Sequence, residues 1–94
     1  MKLYALFYEK VANYTKKREP YRAQHLALAT KYNKEGFLFM GGGLENFEQS
    51  ALLLFTDKSK AQKFVKEDPY VTNGVIINYT IANWNIAVGS PPPN

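Results

Sequence analysis

His25 is the only histidine in the chain, and it stands in the apolar stretch PYRAQHLALA, residues 20–29. Asp68 stands far away in sequence, before a proline in KEDPY. An imidazole and a carboxylate are the natural pair for moving a proton near neutral pH. The carboxylate holds one ring nitrogen, fixes the tautomer and stabilises the ring when the other nitrogen takes a proton. Each residue also has a plainer reading. His25 could be a core histidine with one satisfied hydrogen bond, and Asp68 could be an ordinary turn aspartate before proline.

Spacing bears on both. Tyr21, His25, Leu28 and Tyr32 follow an i, i+4, i+7, i+11 pattern. At about 100° per residue they fall within one arc roughly 60° wide, so His25 faces a core. Ala61, Phe64, Val65 and Asp68 follow i, i+3, i+4, i+7. Asp68 therefore lies on the apolar face of a second helix, at its C-terminal end. A carboxylate there meets the negative end of the macrodipole, a penalty of about 0.3–1 kcal/mol. Arg22, three residues before His25, flanks the same arc. It could hold an anionic group of a ligand bidentately, or be a solvated arginine. Gly42, within the run Gly41-Gly42-Gly43, could let a ligand approach the backbone, or serve a tight turn or bulge. Tyr70, two residues after Asp68, could line the same cavity or simply pack.

Other chemistries lack their residues. There is no cysteine, and a single histidine argues against a metal site within one subunit. The glycine run has no following helix and no P-loop lysine, so it is not a nucleotide fingerprint. No serine lies in a nucleophile motif. An enzyme built on this sequence is expected to need no cofactor and no metal.

The elements that position these residues can be read in order. Residues 2–8 form a strand that is apolar on both faces. Residues 11–19 are a polar connection without a period. Pro20 suits the first turn of a helix that Gly36 ends. Residues 37–43 read as a second strand running into a glycine turn, and residues 50–56 as a third. Asp57 can cap the next helix, which Pro69 stops. An Asn73-Gly74 turn precedes a last strand over residues 75–88. Strand, helix, strand, strand, helix, strand is the ferredoxin-like βαββαβ pattern of an α+β domain. Right-handed crossovers place both helices on one face of a four-stranded antiparallel sheet. The two helices then pack antiparallel, and the start of the first lies near the end of the second. His25 and Asp68 are expected to meet there.

The sheet's other face should not stay open to water. The chain has 94 residues, of which 46% are hydrophobic and 15% aromatic. A domain this small buries only about 60–65% of its extended surface. Apolar residues on both sides of three strands call for a second sheet, most simply from a second copy of the chain. The expectation is a homodimer packed sheet to sheet. The net charge is +4, with basic residues loosely grouped in KKR and KSKAQKFVK. Solvated helix faces account for these more simply than nucleic acid. No stretch approaches the roughly 20 apolar residues of a membrane span. The start has no cleavage site of a secretory signal. A soluble, cytoplasmic protein is expected, with one domain over residues 1–88 and a proline-rich tail over 89–94.

RAQHL in the first helix, GFLFMGGG after it and KEDPYVTNGV after the second resemble the YciI-like, or YCII-related, proteins. The similarity runs in order up to about Val88. It implies a dimeric α+β barrel, a fold also used by muconolactone isomerase and small cofactor-free monooxygenases. It implies an active site pairing His25 with Asp68. One branch of the family removes chloride from a chlorinated hydroxyhydroquinone, and most members have no assigned substrate. Gly43 departs from the many relatives with proline there, which concerns the pocket rim and not the pair. The function expected is acid–base catalysis on a small cyclic or aromatic polar molecule by proton transfer, isomerisation or elimination. The alternative is a non-catalytic small-molecule-binding or accessory module on the same barrel. An RNA-binding sheet is disfavoured, because the aromatic motif of RNA-recognition domains is absent.

Overall fold

The computed structural model describes residues 1–47 and 50–89. β1 (Lys2–Lys10) leads through a short helix α1 (Tyr14–Lys17) and a 3-10 turn (Glu19–Tyr21) into α2 (Arg22–Lys34). β2 (Leu38–Gly43) and β3 (Ala51–Phe55) follow. Then come α3 (Lys58–Glu67), the one-turn α4 (Pro69–Thr72) and β4 (Ile76–Asn85). The strands form one antiparallel sheet in the order β2-β3-β1-β4. This is the ferredoxin-like α+β arrangement. Among the described residues no helix is long and apolar enough to cross a membrane. The proline-rich tail expected from the sequence lies, from residue 90 onward, outside the described residues.

Local signals account for most boundaries. The Asp57 carboxylate accepts the Ser59 N–H at 2.8 Å and starts α3. Gly36 adopts φ 84° just past α2. That left-handed conformation suits glycine at a helix end.

Four local features differ from the reading of the sequence. The polar connection contains α1, which is entered from Asn13 at φ 70°. A four-residue helix is too short to show an apolar period. Pro20 lies in the 3-10 turn, and α2 begins two residues later at Arg22. The glycine run is strand and not turn: Gly41, Gly42 and Gly43 pair with Leu53, Leu52 and Ala51. β4 ends at Asn85, short of Val88.

The sheet's two faces follow from the register. Tyr4, Leu6 and Tyr8 of β1 lie beside Phe55, Leu53 and Ala51 of β3. Leu6, Tyr8, Leu53 and Phe55 of this face pack with Tyr32 of α2 and with Ala61, Phe64 and Val65 of α3. The Phe64 ring centre lies 5.2 Å from that of Tyr32 and 5.4 Å from that of Phe55. The Tyr32 hydroxyl donates to Glu67 and ties α2 to α3. On the opposite face Leu3, Ala5 and Phe7 lie beside Trp84, Leu54 and Leu52. Among the described residues no helix contributes to that face, and Trp84 is exposed.

α2 behaves unlike α3. Three apolar residues of α3 are buried, but Tyr32 is the single buried residue of α2. Tyr21, His25 and Leu28 are only partly covered. His25 borders a cleft of about 520 Å³ between α2 and strands β2 and β3, whereas Tyr21 and Leu28 pack at the edge of the core.

Candidate active site

Asp68 sits where two helices meet. Pro69 excludes its predecessor from the helical region, and Asp68 accordingly has φ −68° and ψ 119°. Its backbone N–H donates to Phe64 O at 2.8 Å and closes α3. Its carboxylate turns forward, and Oδ1 accepts the Tyr70 N–H at 3.0 Å at the start of α4. The macrodipole penalty expected from the sequence is relieved in this way. The carboxylate caps the next turn instead of facing the end of the last.

The side chain of Asp68 is fully buried, at 0% exposure. A buried carboxylate is tolerated only when its oxygens are occupied by donors. Asp68 has three. Besides Tyr70 N–H, Oδ2 accepts the Tyr8 hydroxyl at 2.6 Å, and Oδ1 lies 2.9 Å from His25 Nδ1. His25 and Asp68 are thus brought together from α2 and the α3–α4 junction. Burial, and then the Asp68 charge, push the Tyr8 phenol well above its ordinary value. Tyr8 therefore stays protonated and donates to the carboxylate.

The imidazole is held as firmly as the carboxylate. Its ring stacks on Tyr70, with centres 3.9 Å apart and planes 6° from parallel. Phe64 meets it edge-on at 6.3 Å. An ionised Asp68 can only accept, so the neutral imidazole carries its proton on Nδ1. Nε2 is left with its lone pair. It has no protein partner among the described residues, and it is not sealed from solvent. His25, at 14% side-chain exposure, lines the cleft. The arrangement can take a proton from a molecule in the cleft at Nε2 and stabilise the resulting imidazolium through Asp68.

The remaining residues singled out in the sequence also border the cleft. Arg22 and Tyr70 line its polar end with His25, and Gly42 lies on the opposite wall. The steric need for glycine falls one residue earlier. A Cβ on Gly41 would come within 3.0 Å of Leu53 Cγ, whereas one on Gly42 would meet nothing within 4 Å. Arg18, which the sequence did not point to, also lines the cleft. Its guanidinium lies over the Tyr14 ring, 5.0 Å from the centre. Tyr8 was missed as well. The available signal was a tyrosine on the helix-facing side of a central strand, whose hydroxyl must find a partner when buried. Among the described residues no three His, Cys, Asp or Glu side chains gather as a metal would require.

Comparison with known proteins agrees with this geometry at the level of the fold. One solved structure that the chain resembles is 5-chloro-2-hydroxyhydroquinone dehydrochlorinase from Burkholderia phenoliruptrix AC1100, in complex with 2,5-dihydroxybenzoquinone. The TM-score is 0.72 at 16% identity, covering 88% of this chain and 93% of that one. No curated protein matches the sequence. The profile of the YCII-related domain matches residues 1–85. A match over that span, with strands and helices in the order described, makes the chain a member of the YCII-related family.

Proposed function

We propose that the cleft is the active site of an enzyme acting on a small cyclic or aromatic polar molecule. Chemistry is proton transfer, isomerisation or an elimination of the dehydrochlorination type. His25 Nε2 accepts a proton from the substrate. Asp68 holds the ring and stabilises its charge, and Tyr8 and the Tyr70 N–H hold Asp68. In an elimination Nε2 takes the proton, the freed electron pair forms the new double bond and the leaving group departs as an anion. The imidazolium then releases its proton to solvent, so that an acid is lost overall and nothing is oxidised or reduced in the protein. Such chemistry calls for no group beyond the pair. The observation that carries this reading is the orientation of His25: one nitrogen on a buried carboxylate, the other open to a 520 Å³ cleft. The fold neighbour, a dehydrochlorinase seen with a dihydroxybenzoquinone, supports the choice of substrate class. The test is turnover of chlorinated and unchlorinated hydroxyhydroquinones and related ring compounds by the wild-type chain and by His25→Gln. Ligand binding without turnover by the wild type would favour a binding module on the same scaffold.

The active form is a homodimer joined through the open sheet face. Leu3, Ala5, Phe7, Leu52, Leu54 and Trp84 make that face apolar, Trp84 is exposed on it, and among the described residues no helix lies over it. Sedimentation is expected to give about twice the 10.7 kDa chain mass. Leu54→Lys, on this face, is expected to shift the species toward monomer. A wild-type monomer at micromolar concentration would contradict the interface.

A further inference from the structure

We infer that the cleft takes a ligand bearing a negatively charged oxygen, gripped by Arg18 and Arg22 and by the Tyr70 hydroxyl. The inference rests on reading the cleft as a small-molecule site, and names the class of molecule that fits it. Arg18 and Arg22 are four residues apart, across the junction of the 3-10 turn and α2, and both line the cleft. Like charges so placed repel, and natural sites offset this with a carboxylate. None is present: among the described residues His25–Asp68 is the one ion pair. Among the described residues no Asp or Glu lines the cleft, and Asp68 lies behind His25. The polar end is therefore positive.

Two further observations turn this from a charged rim into a grip. Arg18 is held in place. Its guanidinium covers the Tyr14 ring and donates one N–H to the Tyr14 hydroxyl at 3.5 Å, so its other donors stay available. The Tyr70 hydroxyl is buried and among the described residues has no hydrogen-bond partner. A buried phenol without a partner is costly, and an acceptor arriving in the cleft removes that cost. Arg18, Arg22 and Tyr70 line the same cleft. That cleft also holds the imidazole stacked on Tyr70. A planar ring with an oxyanion at one end would put its oxygen on the arginines and a ring position near Nε2.

Two sources supply that chemistry: a ring carboxylate, or an acidic hydroxyl of a hydroxyquinone. Binding by calorimetry or NMR, with the full chain, separates them and needs no turnover. The probes are benzoate, benzamide as its neutral counterpart, 2,5-dihydroxybenzoquinone and neutral hydroquinone. Each anion is expected to bind at least about 10-fold tighter than its neutral counterpart. Arg18→Gln and Arg22→Gln are each expected to weaken the anions by roughly 10- to 100-fold and leave the neutral probes unchanged. Arg18→Lys recovers part of the loss. Either anion ranking first supports the shared chemistry and names its source. Equal binding of anions and neutral probes, an Arg18→Gln variant with unaltered anion affinity, or no anion binding at millimolar concentration would overturn the inference. A wild type that binds anions yet turns nothing over would count against catalysis alone.

Discussion

Asp68→Ala is expected to lower the unfolding free energy by about 3–5 kcal/mol, read from urea denaturation. The substitution removes the acceptor for three donors. The Tyr8 hydroxyl and the Tyr70 N–H lie in the interior and are left without partners, at about 1–3 kcal/mol each. A cavity adds to this, and the link between α2 and the α3–α4 junction is lost. Relief from burying the carboxylate works in the opposite direction. It is the smaller effect, because the carboxylate in the folded protein accepts three hydrogen bonds. For a small domain with about 5–15 kcal/mol of total stability, the loss is a large share. Asp68→Asn keeps shape and one oxygen but offers an amide N–H₂ where a donor already points. Its expected cost is smaller, about 1–2 kcal/mol. A loss under about 1 kcal/mol for the alanine variant would mean that the carboxylate does not organise the junction.

His25→Gln is expected to leave the fold near wild type and reduce kcat by about 10²–10⁴-fold, the range for loss of a general acid–base group. Glutamine retains an amide donor that can reach Asp68, so the buried carboxylate keeps partners. It cannot accept a proton near neutral pH. Stability and turnover therefore separate: Asp68→Ala loses both, whereas His25→Gln loses turnover alone. Steady-state kinetics on a ring compound that the wild type converts is the measurement. A His25→Gln variant with kcat within about 3-fold of wild type would remove the histidine from the chemistry.

The pairing at the centre of this account was legible because periodicity and topology act together. The spacing of Ala61, Phe64, Val65 and Asp68 puts a carboxylate on an inward helix face. The βαββαβ order then carries it to the start of the other helix, where His25 waits. Tyr8 was not legible. β1 is apolar on both faces, and alternation alone does not say whether Tyr4 or Tyr8 meets the carboxylate. Only the register against β3 and β4 places it. Arg18 was hidden for a different reason. Residues 11–19 show no period, and α1 and the 3-10 turn that aim Arg18 at the cleft are each too short to leave one. The cleft itself was masked by the arc on α2. Tyr21, His25 and Leu28 carry the pattern of a packed face; Tyr21 and Leu28 do pack against the core, but His25 borders the cavity. Glycine at position 41 follows the same logic. Its lack of a Cβ accommodates Leu53, a long-range contact that no local rule contains.

Asp68 is expected to fix the proton of the neutral imidazole on Nδ1 and to leave the Nε2 lone pair facing the cleft. Nitrogen-15 NMR of His25 in the full chain, at a pH where the ring is neutral, tests it directly. The expected spectrum shows a protonated Nδ1 and an unprotonated Nε2, reversed or mixed in Asp68→Ala. An Nε2-protonated ring in the wild type, the tautomer favoured by free histidine, would contradict the account.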